Sequence, residues 1–365
     1  MKITCERSYL SSALGVASRA VSSRNTLPIL SSVLLEADDD KLRLTATDLD
    51  TAIRCQIPAT VMEAGGVAVP ASLLGDVVSK LPDAPVTLDV GDGKVAVRCG
   101  KSEYTILTSP AEDFPVVPEI TDGTDLTLPQ STLKDMLHMT TFAASREETR
   151  SLLMGVLFEA RGNALTLVAT DTHRLAWKRS SLGQELASPV SAVVPAKPLA
   201  ELERVLKDTA EETVKVRFGS SQVGFETSDV TLVSRVLDGQ FPNYEKVIPK
   251  GADRKITFDR GELLSAMRRV YIVARNASEK AVISTKGDFM EMTAEASDVG
   301  RAYEEIAVSI DGEDTKMAFN ARYLMDVLGL LDVDQATLEL TGPLSPGIVK
   351  VAGGDFLYVV MPMNV

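Results

Sequence analysis

Residue types that could do chemistry are few in this sequence. It contains 2 histidines, His138 and His173, and Asp171 precedes the second by two positions. Residues two apart in a strand point to the same face, so Asp171 could orient His173 as the base of a hydrolase. No serine has the spacing of a nucleophile elbow, however, and the pattern also fits a structural histidine beside a turn aspartate. A small-molecule hydrolase that uses His173 remains an alternative.

Acidic and glycine-rich turns raise two further possibilities, a metal site and a nucleotide site. Asp48 and Asp50 could hold a metal, but short acidic residues more often accept hydrogen bonds from the backbone amides of a turn. Gly91-Asp92-Gly93 resembles the start of a dinucleotide loop, yet it joins two predicted strands and does not open a helix. The sequence therefore predicts a hairpin there, and no catalytic residue, metal or cofactor.

Length and charge limit the class of protein. The chain has 365 residues, 45% of them hydrophobic, and a net charge of −13. This charge excludes a generally basic protein that coats nucleic acid, although a local basic surface is compatible with it. No apolar run reaches the roughly 18 residues of a membrane helix, and the first residues lack the apolar core of a signal peptide. Together with the scattered Cys5, Cys55 and Cys99, which favour a reducing compartment without disulfides or zinc, this predicts a cytoplasmic protein.

One short phrase recurs along the chain and indicates an internal repeat. Its copies begin at Leu42, Leu165 and Met290, about 125 residues apart, which is the size of an ordinary domain. The first two read Leu42-Arg43-Leu44-Thr45-Ala46-Thr47-Asp48 and Leu165-Thr166-Leu167-Val168-Ala169-Thr170-Asp171; the third, Met290-Glu291-Met292-Thr293-Ala294, is weaker. The same order of elements surrounds each copy: an amphipathic helix, strands, a second amphipathic helix and further strands.

This order predicts an α+β fold of three repeated domains, each with two helices and antiparallel sheets. The predicted bounds are 1–120, 121–250 and 251–365. In the third repeat, Asp259 followed by Glu262 is the pattern of a helix N-terminal capping box.

Basic side chains accompany all of the predicted helices. If the helices form one surface, these side chains could bind phosphates without reading bases. Acidic residues share the helices, so a mixed solvated face is the alternative. The basic set comprises Arg7, Arg19, Arg24, Lys80, Lys134, Arg146, Arg150, Lys197, Arg204, Lys207, Arg260, Arg268, Arg269 and Arg275.

The C-terminal residues are apolar almost to the end of the sequence. Val359-Val360-Met361-Pro362-Met363 departs from the frayed, polar character of most termini. It fits either an edge strand of the core or a groove in which Met361 and Met363 adapt to partners.

In combination and order, several motifs resemble the β sliding clamp family, the processivity subunit of bacterial DNA polymerase III. They span the chain: Leu27-Pro28-Ile29-Leu30, Thr47-Asp48-Leu49, Ala169-Thr170-Asp171-Thr172-His173-Arg174-Leu175, Phe241-Pro242-Asn243-Tyr244 and Tyr358-Val359-Val360-Met361-Pro362-Met363. The family pattern usually has glycine at the position of Thr172 and aromatic residues near Ser151-Leu152, so the chain departs from it there.

The resemblance implies a head-to-tail homodimeric ring of six similar domains that encircles double-stranded DNA. It implies as partners the replicative polymerase, the clamp loader, and other polymerases and repair proteins with short clamp-binding peptides. A monomeric repeat scaffold for protein partners is the alternative.

The resemblance also assigns residues to three sites. DNA phosphates would meet Arg24, Arg150, Lys197 and Lys280. The dimer joint would include Lys101, Tyr104, Ile106, Ile272 and Val273, with Glu304 or Glu305 near Lys101. One cleft for partner peptides would contain Leu153, Thr170, Thr172, His173, Arg174, Leu175, Pro242, Lys246, Val247, Leu344, Ser345, Val359, Val360, Met361, Pro362 and Met363.

Overall fold

The computed structural model describes residues 1–21, 27–117 and 119–365. Its helices fall in the predicted order, two to each sequence repeat. They are α1 (Arg7–Ala17), α2 (Ala71–Lys80), α3 (Gln130–His138), α4 (Ala196–Val205), α5 (Arg260–Ala274) and α6 (Ala321–Leu330).

The strands follow the same repeating order. In the first repeat they are β1 (Lys2–Cys5), β2 (Ser32–Asp38), β3 (Lys41–Thr47), β4 (Thr51–Pro58), β5 (Thr60–Glu63), β6 (Gly65–Pro70), β7 (Val86–Gly91), β8 (Lys94–Cys99), β9 (Ser102–Leu107) and β10 (Ser109–Pro110). In the second they are β11 (Thr124–Pro129), β12 (Gly155–Arg161), β13 (Ala164–Thr170), β14 (Arg174–Ser181), β15 (Val190–Pro195), β16 (Thr213–Phe218), β17 (Gln222–Glu226) and β18 (Val230–Arg235). In the third they are β19 (Arg254–Asp259), β20 (Lys280–Lys286), β21 (Phe289–Ala296), β22 (Gly300–Asp311), β23 (Lys316–Asn320), β24 (Gln335–Leu340), β25 (Gly347–Lys350), β26 (Phe356–Val360) and β27 (Pro362–Met363).

The chain divides into two compact units that do not coincide with the sequence repeats. The first unit comprises Met1–Lys134 and Lys197–Val236. It holds a five-stranded sheet in the order β5-β1-β7-β8-β9 and a nine-stranded sheet in the order β10-β6-β2-β3-β4-β18-β17-β16-β11. The second sheet therefore continues from strands of the first repeat into strands of the second.

The second compact unit comprises Asp135–Ala196 and Leu237–Val365. Its sheet has thirteen strands in the order β15-β12-β13-β14-β26-β25-β24-β19-β22-β21-β20-β23-β27. Here the strands of the second repeat continue into those of the third. All of the strand pairs in both units are antiparallel, which agrees with the predicted α+β class.

One rule describes how the repeats join within each unit. The strand after the recurring phrase bonds to the last strand of more than two residues in the next repeat: β4 to β18 in the first unit and β14 to β26 in the second. We call these contacts the first and second junctions. Each junction is a hydrogen-bonded strand pair, so the sheet itself holds neighbouring repeats together.

Two strand edges remain open where the rule has no further repeat to join. Strand β9 is the last strand of its sheet. Strand β22 bonds to β21 along 300–307, whereas β19 covers only 308–311. Among the described residues, the other edge of 300–307 has no strand partner, and such edges readily pair with another chain.

Buried apolar faces explain why these segments form helices and strands. Leu10, Ala13, Leu14 and Ala17 are the buried positions of α1, at the spacing of one helical face. At the start of α5 the side chain of Asp259 accepts a 2.8 Å hydrogen bond from the Glu262 amide, which is one of the two hydrogen bonds of the predicted capping box.

Two other local features bear on the predictions. Asp92 and Gly93 have φ values of 52° and 70°, as a tight hairpin turn requires, and the predicted turn between β7 and β8 is confirmed. Among the described residues, none of the helices is long and apolar enough to cross a membrane.

Candidate functional site

A polar turn at the end of the recurring phrase organises the predicted cleft. The Thr170 hydroxyl donates to the Arg174 carbonyl (2.6 Å) and accepts from the Thr172 amide (3.1 Å). One Asp171 oxygen accepts from the amides of His173 (2.9 Å) and Arg174 (3.0 Å). The Asp171 carboxylate is thus occupied by the backbone and does not serve to orient the His173 ring.

The first repeat forms the same turn. There the Thr47 hydroxyl donates to the Thr51 carbonyl (2.8 Å), and Asp48 accepts from the amides of Asp50 (3.2 Å) and Thr51 (2.7 Å). The interpretation of Asp48 as a turn residue is confirmed. Within the described part of the chain, no group of three or more acidic, histidine or cysteine side chains is arranged to hold a metal ion.

Thr172 has an unusual backbone conformation for its type. Its φ is 79°, in the left-handed region that favours glycine, and Leu49 has the same φ of 79° in the first-repeat turn. The Thr172 hydroxyl accepts a 2.8 Å hydrogen bond from Arg150, which also lies 3.4 Å from Glu147. A threonine at this position, where the family pattern usually has glycine, strains the backbone. The hydrogen bond from Arg150 partly offsets the energy of that strain.

Apolar side chains form a cluster on one face of the second-unit sheet. Its buried members are Leu153, Leu157, Val168, Leu175, Val193, Phe241 and Val359; Leu152, Trp177, Leu237, Tyr244, Ile248 and Leu357 pack against it while partly exposed. We call these residues the apolar cluster. Cross-strand pairing explains why strand residues meet there, since Leu175 lies opposite both Thr170 and Val359.

Aromatic and charged residues surround Arg174 on the other face of the same strands. Its guanidinium donates to Asp171 (3.0 Å), Asp326 (2.6 Å) and the Phe142 carbonyl (3.0 Å), and it stacks 4.5 Å from the Tyr323 ring. With 10% of its side chain exposed, Arg174 is held by structural contacts. The His173 ring lies 6.5 Å from that of Tyr323 and is exposed.

Other residues of the predicted cleft lie in segments near the surface. Leu344 is 84% exposed and Val247 is 42% exposed, a high degree for apolar side chains. Pro242 and Lys246 are exposed, and Ser345 is half-buried. The Tyr244 hydroxyl donates to Glu159 at 2.7 Å and fixes this segment to β12, while burial and the Glu159 carboxylate raise the pKa of Tyr244.

The C-terminal residues belong to the sheet. Val359 and Val360 are 1% and 0% exposed in β26, which lies between β14 and β25, so the edge-strand interpretation is wrong for them. The Met361 amide donates to the His173 carbonyl at 2.9 Å. Pro362 and Met363 pair with β23 at the sheet edge and are half-buried. Of the described residues 359–363, only 361–363 are held by backbone hydrogen bonds or strand pairing and also have partly exposed side chains.

The predicted DNA-binding residues differ in exposure and in the contacts of their side chains. Arg24 lies outside the described residues. Lys197 is exposed, and its side chain has no polar partner among the described residues. Lys280 is half-buried and its amine donates to the Asn364 carbonyl at 3.4 Å. Arg150 is occupied at the turn described above.

Several other helix-borne basic residues have acidic partners. Arg19 and Arg204 both bind Glu201, at 2.6 Å and 3.1 Å, and Arg269 binds Glu304 at 2.6 Å. Part of the basic set is therefore the mixed solvated face that we considered as the alternative.

The predicted joint residues also differ in exposure. Tyr104 is 44% exposed on β9 and Ile272 is 57% exposed on α5, while Val273 is half-buried and Lys101 is exposed. Ile106 is only 3% exposed, because its side chain points into the first unit.

Sequence reasoning missed aromatic residues of the site. Trp177, Phe241 and Tyr244 belong to the apolar cluster or its border. Tyr323 on α6 was also missed, and its ring lies against both Arg174 and His173. The Phe-Pro motif near residue 241 was a usable signal for Phe241. The strand period of 2 was a signal for Trp177, which follows Leu175 on the same face.

Binding is what this arrangement supports. An apolar cluster with partly exposed aliphatic and aromatic members can accept apolar side chains, whereas Asp171 and Arg174 are used in structural contacts. These features define a protein of repeated α+β domains joined by continuous sheets.

Comparisons with known proteins agree with this class. Family models of the DNA polymerase III beta subunit match along the chain: the N-terminal domain at 1–118, the central domain at 127–243 and the C-terminal domain at 245–364. A beta sliding clamp of Synechocystis sp. is 37% identical over 100% of this chain and 99% of its own length, and one of Pseudomonas putida is 35% identical over 100% of both.

Solved structures are similar over the same length. A sliding clamp of Pseudomonas aeruginosa bound to griselimycin has a TM-score of 0.96 at 33% identity and full coverage of both chains. A Bacillus subtilis sliding clamp has a TM-score of 0.95 at 29% identity, covering 100% of this chain and 99% of that one. The chain belongs to the DNA polymerase III beta subunit family, the beta sliding clamps. It is a processivity factor in DNA replication, not an enzyme.

Proposed function

We propose that two copies of this chain close head to tail into a ring around duplex DNA. The open edges carry this proposal. Each observed junction joins the strand after the recurring phrase to the last strand of more than two residues in the next repeat. Strands β22 and β9 are the strands of these two kinds that keep an open edge among the described residues. Pairing β22 of one copy with β9 of its partner would extend the rule, and twofold symmetry would create two identical joints.

The register of the observed junctions predicts which residues meet at such a joint. Equivalent positions are identified by their pairing within each repeat. Tyr303 pairs with Thr293 as Arg54 pairs with Thr45 and Trp177 with Val168. On the other strand, Glu103 pairs with Arg98 as Thr231 pairs with Glu226 and Leu357 with Lys350.

If the joint has the same register, Tyr303 would lie opposite Glu103 of the partner copy. In an antiparallel pair this puts Lys101 opposite Glu305 and Tyr104 opposite Ala302. The charge pair agrees with the expectation that Lys101 lies near Glu304 or Glu305; Glu304 is already bound to Arg269, which favours Glu305. Tyr104 and Ile272 would bury apolar surface, at about 1.5–3 kcal/mol for each fully buried side chain. Ile106, already buried, would add little.

If the ring encloses the DNA, an acidic protein can stay on the duplex with few specific contacts. An enclosed duplex cannot leave sideways, so tight base recognition is unnecessary and would hinder sliding. Exposed cations such as Lys197, with Arg24, Arg150 and Lys280 as further candidates, would contact phosphates without sequence preference. The net charge of −13 disfavours DNA binding elsewhere on the protein.

The apolar cluster, with the exposed Val247 directly before its member Ile248, is the proposed binding cleft for partner peptides, and the exposed Leu344 is a further candidate. A leucine or phenylalanine of a short linear peptide would extend the cluster, and His173 and Tyr323 would form a second, more polar contact. Two anchors at about 1.5–3 kcal/mol each, less the cost of association, correspond to affinities near micromolar. Such weak binding would let the replicative polymerase, clamp loader, other polymerases and repair proteins exchange in the cytoplasm.

Fluorescence anisotropy with a short labelled peptide containing leucine and phenylalanine tests the cleft. Val247→Ser should weaken binding several-fold, about the effect of losing part of one apolar contact, because the side chain is accessible but not part of the core. Val116→Ser, at a 91% exposed valine of the first unit, is the matched control and should bind normally. Equal affinity for wild type and both variants would place the peptide elsewhere. Deletion of 361–365 should also abolish binding, but it removes the β27 pairing with β23 as well.

A further inference from the structure

A cavity lies on the sheet of the first unit. Its volume is about 290 Å³, at the small end of ligand pockets. We call it the linker pocket, because the segment around Val117, Glu119 and Ile120 forms one side and the sheet forms the other. The sheet side consists of Thr45, Ala52, Arg54, Lys215, Arg217, Gly224, Glu226, Thr231 and Val233.

Strand register shows that the linker pocket is the first-junction counterpart of the apolar cluster. Thr45 pairs with Arg54, which pairs with Thr231 across the junction. At the same repeat positions of the second junction, the corresponding run is Val168, Trp177 and Leu357, all in the apolar cluster. The backbone arrangement is therefore shared, while three apolar side chains are replaced by two hydroxyls and a guanidinium.

Two of these polar groups have no partner. Among the described residues, the Thr45 hydroxyl and the Arg54 Nε are buried and form no hydrogen bond, and Arg54 forms no ion pair. Thr45 is only 3% exposed. Buried polar groups without partners are rare because they lose hydration without compensation, so water or a polar ligand in the cavity would satisfy them.

The other two cations of the pocket share one carboxylate, that of Asp125. Arg217 donates to both oxygens of Asp125, at 2.6 Å and 2.8 Å, and to the Ile120 carbonyl at 3.0 Å. Lys215 lies 2.9 Å from Asp125. These contacts fix the wall and the linker, and they leave Arg54 as the cation available to a ligand.

We propose that the linker pocket binds a carboxylate carried on a short aliphatic stem. Arg54 would donate to the carboxylate in a charge-assisted hydrogen bond, and the Thr45 hydroxyl would donate a second one. Ala52, Val233 and Ile120 would contact the stem. Both a glutamate side chain of a partner protein and a free dicarboxylate have this chemistry, and the volume suits either one. The proposal does not depend on the peptide cleft.

Calorimetric titration with defined probes tests this proposal on the full-length protein. The probes are glutarate, the blocked peptide Ac-Gly-Glu-Gly-NH₂ and its glutamine analogue Ac-Gly-Gln-Gly-NH₂. We expect a carboxylate probe to bind about tenfold more tightly than the glutamine peptide, because only the carboxylate forms charge-assisted bonds. Binding by both carboxylate probes would indicate that a protein side chain fits, and binding by glutarate alone would assign the site to a free acid. Equal binding of the glutamate and glutamine peptides, or no binding by either carboxylate probe, would overturn the proposal.

Variants distinguish the linker pocket from other carboxylate contacts. Arg54→Met should reduce carboxylate affinity about tenfold and Thr45→Val by a smaller factor, while Arg54→Lys, which retains the charge, should lose less than Arg54→Met. Val247→Ser, in the proposed peptide cleft, should leave carboxylate binding unchanged. The melting temperatures of Thr45→Val and Arg54→Met should not fall, because neither group has a partner in the free protein. Unchanged carboxylate affinity in Arg54→Met, or a large loss of stability in both variants, would refute the assignment.

Discussion

Replacing Thr172 by glycine should stabilise the protein. A non-glycine residue with a φ of 79° stores roughly 1–3 kcal/mol of strain, which glycine would release. Against this, glycine adds about 0.5–1 kcal/mol of backbone entropy to the unfolded chain. Loss of the exposed hydrogen bond from Arg150 costs about another 0.5 kcal/mol. With each contribution at the middle of its range, the expected net gain in the free energy of unfolding is about 0.75 kcal/mol.

The first-repeat turn provides a matched comparison for this prediction. Leu49 has the same φ but no side-chain hydrogen bond, so Leu49→Gly should release similar strain without that loss. Thr60→Gly, on the exposed face of β5, should instead destabilise by about 1 kcal/mol, because a strand conformation suits threonine. Differential scanning calorimetry of the three variants measures these changes. If Thr172→Gly lowered stability as much as Thr60→Gly, the strain argument would be wrong.

Three further outcomes can be checked independently. Lys197→Ala should reduce the slope of log DNA affinity against log salt concentration by about 0.9, and by the same amount on duplexes of unrelated sequence. DNA-binding titrations at several salt concentrations measure this slope. A change confined to one DNA sequence would contradict a phosphate contact. Ile272→Asp should convert a dimer into a folded monomer in sedimentation analysis, whereas Val116→Asp, the exposed control, should not; an Ile272→Asp protein that stays dimeric would contradict the proposed joint. Burial raises the pKa of both Cys5 and Cys55 to about 12, so iodoacetamide at pH 8 should label neither until the protein unfolds, and rapid labelling of the folded protein would contradict their burial.

The repeated fold was predictable because its signals are local. Helical spacing, the recurring phrase and turn residues each depend on a few neighbouring positions, and the helix bounds follow them closely, as for α2 at Ala71–Lys80. The aspartate turns were also predictable, since Asp48 and Asp171 each follow a threonine at the end of a strand.

The sequence did not predict that the residues assigned to one cleft lie on two different faces of the sheet. Neighbouring residues on a strand face opposite sides, so Arg174 and Leu175 lie in different environments despite belonging to one motif. Their environments depend on residues far along the chain, such as Asp326 for Arg174 and Val359 for Leu175. Only strand register, which pattern alone did not provide, brings these residues together.

The junctions show how one backbone arrangement can serve different purposes. The run Val168, Trp177 and Leu357 makes the second junction apolar, which suits a surface that partner peptides cover and leave. The run Thr45, Arg54 and Thr231 makes the first junction polar, so leucine and phenylalanine anchors would meet unpaired hydrogen-bonding groups there.

The proposed joint between copies follows the same logic. Its run would be Thr293 and Tyr303 from one copy and Glu103 from the other, a polar and partly exposed set. An interface with polar strand edges and few fully buried anchors can open without exposing a large core. A ring must open to admit DNA, and of the three kinds of junction only this one would lie between separate chains. The proposed joint would therefore have the least buried apolar surface of the three kinds of junction. It would also be the one that can open while each chain stays folded.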